Sequence, residues 1–141
     1  LAGVLLDTHA LYWLVSGEIA LTDEALVAIG TAQDEGTLFV SPITVWELAL
    51  AVKKPKNAPQ LGDRTVKEWF RVAIKELSAK IVPIGPQIAL EAANMIATTD
   101  HKDPGDCYII STAKMKKVPV VTRDLMIRGI SETGYIDVVV C

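Results

Sequence analysis

Lys102-Asp103-Pro104-Gly105-Asp106-Cys107-Tyr108-Ile109-Ile110-Ser111-Thr112-Ala113 is the stretch whose reading decides the fold. Two carboxylates flank a Pro-Gly pair, and an apolar run follows at once. Asp103 can cap a helix, Pro104 suits its first turn, and Asp106 falls within that turn, so a helix start is predicted here. The run passes through Lys114, Lys116 and Lys117 to Val118-Pro119-Val120-Val121-Thr122-Arg123-Asp124, a short apolar strand closing on a third carboxylate. Acids at a helix start and at a strand's end can converge in an α/β protein.

Working outward, Ala2-Gly3-Val4-Leu5-Leu6 is an apolar run ending at Asp7. With no polar member it predicts a strand buried on both faces. Thr8 is expected to cap a helix over 9–16, ended by Gly17. Thr22-Asp23-Glu24 opens a second helix running to about Glu35, where Gly36 fits the stop. Leu38-Phe39-Val40 is a second strand. Ser41-Pro42 reads as cap and first-turn proline of a third helix carrying Val45, Trp46, Leu48, Ala49 and Val52. Residues 53–59 form a loop. Thr65-x-x-Glu68 is a capping box opening a helix with Trp69, Phe70, Ala73, Ile74 and Leu77 on one face. Strands are expected over 80–84 and 136–140, and a helix over 87–97. Short apolar strands separated by helices predict a three-layer α/β/α sandwich with a mostly parallel central sheet, as one domain over 1–141.

Composition narrows the function classes. The chain has 141 residues, half of them hydrophobic, and a net charge of -3. No apolar run reaches the ~18 residues of a membrane helix, and no signal peptide is recognisable. Leu1 without a Met suggests that residues precede it. Cys107 and Cys141 form no metal-spaced pair and read as free thiols of a cytoplasmic protein. Residues 1–52 hold seven acids and no Lys or Arg, whereas residues 53–80 hold eight basic residues against three acidic ones. The overall charge argues against indiscriminate nucleic-acid binding, but this distribution leaves room for a local track.

Each acid has a structural excuse when taken singly. Asp103 and Asp124 can cap helices, and Asp106 can favour a helix dipole. Asp7 is harder to excuse, because it ends a buried strand where an unpaired charge is expensive. Glu47 is flanked by Trp46 and Leu48, and its helical neighbours Ile43, Thr44, Leu50 and Ala51 offer no cation, so it needs a partner from elsewhere. That partner is either a Lys or Arg or a shared cation. Gathered carboxylates raise one another's pKa, and oxygen ligands without a cysteine pair select Mg²⁺ or Mn²⁺ over zinc. His9 and His101 are expected beside the acids, in hydrogen bonds more than as ligands. Trp13, Trp46 and Trp69 are read as core or interface.

Four blocks in order resemble the PIN-domain proteins of the VapC toxin type over nearly the full length. They are Leu5-Leu6-Asp7-Thr8-His9-Ala10-Leu11, Ser41-Pro42-Ile43-Thr44-Val45-Trp46-Glu47, His101-Lys102-Asp103-Pro104-Gly105-Asp106 and Val121-Thr122-Arg123-Asp124. The resemblance implies a Mg²⁺- or Mn²⁺-dependent endoribonuclease, a toxin held in check by a cognate antitoxin and acting as a homodimer, with no membrane partner. It implies that Asp7, Glu47, Asp106 and Asp124 are the catalytic and metal-binding acids, with Asp103 a further candidate ligand. Thr8, Thr122 and Arg123 are candidates to support those acids or touch phosphate. Lys53, Lys54, Lys56, Lys67 and Arg71 are a candidate RNA track, with Lys114, Lys116 and Lys117 as its alternative. Cys107 stands where the family often has Arg, and Ala51 where it often has Lys.

Other readings start from the same residues. A non-toxin PIN nuclease and a catalytically silent PIN-like binding domain keep the fold. An aspartate-phosphorylating phosphatase needs a second acid two residues after Asp7, where this chain has His9. A two-component receiver needs paired acids at the first strand and a Lys after a late strand, where this chain has Asp124.

Overall fold

The computed structural model describes residues 3–99 and 103–141. Its elements run β1 (Val4–Leu6), α1 (Thr8–Ser16), α2 (Asp23–Glu35), β2 (Leu38–Val40), α3 (Ile43–Ala51), α4 (Val66–Leu77), β3 (Lys80–Ile81), α5 (Pro86–Thr99), α6 (Pro104–Lys116), β4 (Val120–Thr122), α7 (Leu125–Ser131) and β5 (Val138–Val140). The strands form one sheet in the order β3-β2-β1-β4-β5, and every neighbouring pair is parallel. Val4 lies opposite Leu38, Leu5 opposite Val120, and Val120 opposite Val138.

Alternation along β1 divides the core. Val4 and Leu6 join Leu38, Val40 and Val121 under α1, α2, α3 and α4. Leu5 and Val120 face the opposite way, under Ala92 and Met95 of α5, Ile109 and Ile110 of α6, and Ile127 of α7. This is the three-layer arrangement that apolar strands without a polar face require. The chain leaves β1 for β2 on one side and later places β4 on the other. The ends of β1 and β4 therefore flank a switch point of the sheet, where a crevice opens.

Local chemistry explains most element ends. Thr22 caps α2, and Gly36 closes it in the left-handed region with φ 71°. Thr65 and Glu68 form both arms of the capping box. The side chain of Asp103 caps α6, with Pro104 in its first turn. Ser41 accepts from the amide of Ile43 at the start of α3. Two strands are shorter than expected. The amide of Val82 still bonds to Val40, but the ladder goes no further, so β3 is confined to Lys80–Ile81 rather than 80–84. Ile136 packs into the α5–α6–α7 side of the core ahead of the ladder, which leaves β5 as Val138–Val140.

Thr65→Ala removes the hydroxyl arm of the α4 box and leaves the bond from the residue-65 amide to Glu68. Unfolding free energy should drop by about 1 kcal/mol, read as a lower denaturation midpoint at unchanged m-value, and Thr65→Ser should recover most of it. An equal midpoint for Thr65→Ala would show that the hydroxyl arm contributes nothing.

Candidate metal and phosphodiester site

Asp7 follows the last residue of β1 and caps α1: its Oδ1 accepts from the amide of Ala10 at 2.7 Å. The expected cap was Thr8, with the helix beginning at His9. The carboxylate wins because it is the stronger acceptor for a helix N–H. Thr8 becomes the first helical residue instead, and its hydroxyl contacts Thr44 Oγ1 at 3.0 Å and donates to Oε1 of Glu47. The other oxygen of Asp7 accepts from the hydroxyl of Thr122, which itself accepts from the amide of Asp124 at 3.0 Å. Asp7 is buried. Burial pushes its carboxyl up to about 6 and the charge of Glu47 adds to this, against the hydrogen bonds of Thr122 and Ala10 and the influence of His9.

Glu47, half-buried on α3, meets the start of α6. A Cβ placed on Gly105 would overlap the Glu47 carboxylate, coming within 2.7 Å of its carboxyl carbon. Glycine at this position therefore lets the helix start press against the acid. Asp103 Oδ1 accepts from the amide of Asp106 at 3.0 Å, which holds the two α6 acids together. Carboxylate oxygens of Glu47, Asp103 and Asp106 lie within 4.8 Å of one another. Burial raises the Glu47 pKa, and Asp106 and Asp103 raise it further, against the hydrogen bond from Thr8 and the influence of His9. No Lys or Arg forms an ion pair with Glu47 among the described residues. Among the described residues the group is three converging carboxylates, a fitting set of oxygen donors for a hard divalent cation.

The predicted acids thus fall into two linked groups. Glu47, Asp103 and Asp106 are gathered together, and Asp103, read from sequence mainly as a cap, is both cap and member. Asp7 and Asp124 border a separate small cleft with His9, Trp13 and Arg123. Asp124 caps α7, accepting from the amides of Met126 and Ile127. Thr8 joins the groups on one side and Thr122 holds Asp7 to Asp124 on the other. His101 and Lys102 lie outside the described residues.

The basic candidates separate as well. Arg123 donates Nε–H to the Cys141 carbonyl and Nη2–H to that of Ala20, and its guanidinium lies 4.7 Å from the Trp13 ring centre. It works as a clasp, with its planar fork already engaged. Lys53, Lys54 and Lys56 are exposed in the loop after α3. Lys54 borders a cleft of about 430 Å³ that begins at Thr8 and Glu47. Lys67 and Arg71 are exposed on α4, whose inner face carries Trp69, Phe70 and Ala73. Lys114, Lys116 and Lys117 stand at the far end of α6, roughly 15 Å from Asp106 at ~1.5 Å per residue, and Lys114 pairs with Glu91 at 3.4 Å. Trp69 is core as expected. Trp46 is exposed, and Trp13, partly buried, borders both clefts.

The raised pKa of Asp7 has a definite sign. Its folded value of about 6 exceeds the reference 3.8, so its contribution to stability is full below about pH 4 and is lost as pH rises through 6. The metal-free stability of wild type minus that of Asp7→Asn should therefore fall between pH 4 and 7, by up to about 3 kcal/mol. Denaturant titrations in EDTA measure this difference, and a flat curve would mean that burying this charge costs nothing.

A PIN domain family model matches residues 4–132. No match is found among curated proteins. Among solved structures, the chain is similar to one in VapBC2 from Rickettsia felis bound to a DNA fragment from its promoter, with TM-score 0.68, 15% identity and 97% of each chain covered. It is similar to one in DNA-bound VapBC from Salmonella typhimurium, with TM-score 0.64, 18% identity, and 99% of this chain and 98% of that one covered. A third likeness is to VapBC-5, a member of the VapBC family of toxin-antitoxin systems from Mycobacterium tuberculosis, with TM-score 0.62, 18% identity and full coverage of both chains. At such identities the likeness is one of fold. The family match is independent of them and runs from the first strand past the last helix, taking in both acid-bearing strand ends and the helix start that meets Glu47: the chain belongs to the PIN domain family.

Proposed function

We propose that this chain is a single PIN-like unit acting as a Mg²⁺- or Mn²⁺-dependent endoribonuclease, the toxin of a toxin–antitoxin pair. The observation that carries this reading is the approach of Glu47, Asp103 and Asp106 to within 4.8 Å, next to a buried Asp7. Glu47 and Asp106, with Asp103 and Asp7, would hold the cation, and Asp124 would complete the site from the β4 side. When bound, the ion supplies Lewis acidity toward water and toward the phosphodiester.

The chain's own residues do the positioning. Thr8 holds Oε1 of Glu47, Thr122 holds one oxygen of Asp7, and the Ala10 amide holds the other. Water attacks phosphorus in line with the departing 3′-oxygen and the P–O3′ bond breaks. The products carry a 5′-phosphate and a 3′-hydroxyl, and the ribose 2′-hydroxyl takes no part. Similar folds occur in complexes named as toxin–antitoxin systems, which supports a protein partner. A basic side chain of that antitoxin would match the acid cluster in place of the cation. Exposed apolar side chains, including Leu26, Val27 and Leu90, are consistent with a homodimer or an antitoxin contact. No helix among the described residues is long and apolar enough to cross a membrane.

Cleavage of single-stranded RNA should need Mg²⁺ or Mn²⁺, stop in EDTA and be lost in Asp7→Asn and Gly105→Ala, the latter because its methyl displaces Glu47. Activity undiminished in EDTA, or products ending in 2′,3′-cyclic phosphate, would refute the mechanism. Asp106→Asn should abolish metal-induced stabilisation yet raise the melting temperature in EDTA, because like-charge repulsion on Glu47 is relieved. A lower metal-free melting temperature would mean that Asp106 chiefly supports its helix.

A further inference from the structure

Two clefts open beside the acids, and His9 and Trp13 line both. The smaller, about 160 Å³, passes Asp7 and Arg123. The larger, about 430 Å³, runs from Glu47 to Lys54, and its volume falls within the roughly 300–1,000 Å³ of small-molecule sites. We propose that the larger cleft is a nucleotide subsite, taking the base and phosphate next to the scissile bond of a single-stranded RNA. This rests on the nuclease reading and deepens it.

One end of the cleft is Glu47 itself, so an occupant is continuous with the position where the bond is cut. One wall is aromatic: the His9 and Trp13 rings lie 5.5 Å apart, inclined at 33°. Trp13 is braced by the Arg123 guanidinium, which two backbone carbonyls hold in place. A fixed aromatic surface beside a cationic side chain is what an unpaired base and its phosphate require, and it tolerates any sequence because every base has a stacking face. The cation is Lys54, which is exposed, borders the cleft and has no ion-pair partner among the described residues. In the smaller cleft the corresponding cation is Arg123, which two backbone carbonyls already hold through Nε and Nη2. Charge therefore places the incoming phosphate on the Lys54 side. Glu18 also borders the larger cleft and disfavours a bare polyanion, leaving a flat base with one adjoining phosphate as the better match. A basic peptide is the competing occupant, since it would suit Glu18 and Glu47 but gain nothing from Lys54.

The test uses the full chain carrying Asp106→Asn, so that RNA is not cut, with a short fluorescein-labelled single-stranded RNA read by anisotropy in Mg²⁺. In this background Lys54→Gln should raise Kd severalfold and reduce the salt slope by about 0.7 log units per log salt, the value of one phosphate contact. Trp13→Ala should raise Kd about tenfold or more, and Trp13→Phe should restore most of the affinity. Lys54 is on the surface, so its variant reports even if Trp13→Ala fails to fold. Unchanged affinity and slope in Lys54→Gln would overturn the subsite while RNA binding by the parent leaves the nuclease reading standing. Tighter binding of a hexa-arginine peptide by Lys54→Gln, with RNA affinity unaltered, would assign the cleft to a basic segment and also overturn it. Absence of both RNA binding by the parent and RNA cleavage by wild type would bring down the nuclease reading and the subsite with it.

Discussion

Asp7 is bound through both oxygens, one to the Ala10 amide and one to the Thr122 hydroxyl, and this pair of bonds fixes the centre of the molecule. One bond starts α1 as β1 ends. The other fastens β1 to β4 beyond the last rung of their ladder. Burying a carboxylate is costly, and these charge-assisted bonds offset part of the cost. They do not offset all of it, since the carboxyl is still pushed up to about 6. Thr122 also receives the Asp124 amide, so the start of α7 is set from the same point.

The two halves of the candidate site are supported differently. On the sheet side, a strand end and a threonine position Asp7. On the helix side, the start of α6 is brought against Glu47 at a glycine, where a single methyl would collide. Helix starts and strand ends are stiffer supports than loop tips, and a cation site of fixed geometry needs that stiffness. Thr8 is the link between the halves: it is held by the Asp7-capped turn and its hydroxyl reaches Glu47.

Much of this was legible because it is local. Caps such as Thr22, Thr65 and Asp103, the glycine stop at Gly36 and the apolar strands announce themselves within a few residues. The order of the acids along such a scaffold pointed to the crevice. What was not legible depends on contacts between distant segments. Nothing near Gly105 in sequence says that Glu47 presses on it. Nothing near Arg123 says that the carbonyls of Cys141 and Ala20 occupy its donors, so a residue that reads as a phosphate grip turns out to be a clasp. Thr8 read as the cap of α1, but the structure gives that place to Asp7, the stronger acceptor, and the Thr8 hydroxyl reaches Glu47. Trp13 and Trp46 read as core or interface, and only tertiary placement puts one beside the clefts and the other on the surface.

Charge distribution completes the physical account. The first 52 residues have no Lys or Arg, so neither Asp7 nor Glu47 can be neutralised by its own neighbourhood in sequence. Folding then adds Asp103 and Asp106 beside Glu47, and the Arg123 guanidinium that borders the Asp7 cleft donates to two backbone carbonyls. The supports supplied by Thr8, Thr122 and the Ala10 amide orient the carboxylates without cancelling their charge. A structural ion-pair network would do the reverse, neutralising first and tolerating loose geometry. Crowded carboxylates raise one another's pKa, and a divalent cation or a partner's basic side chain would relieve that repulsion. On the proposed function, a divalent cation and an antitoxin's basic side chain would compete for this one place.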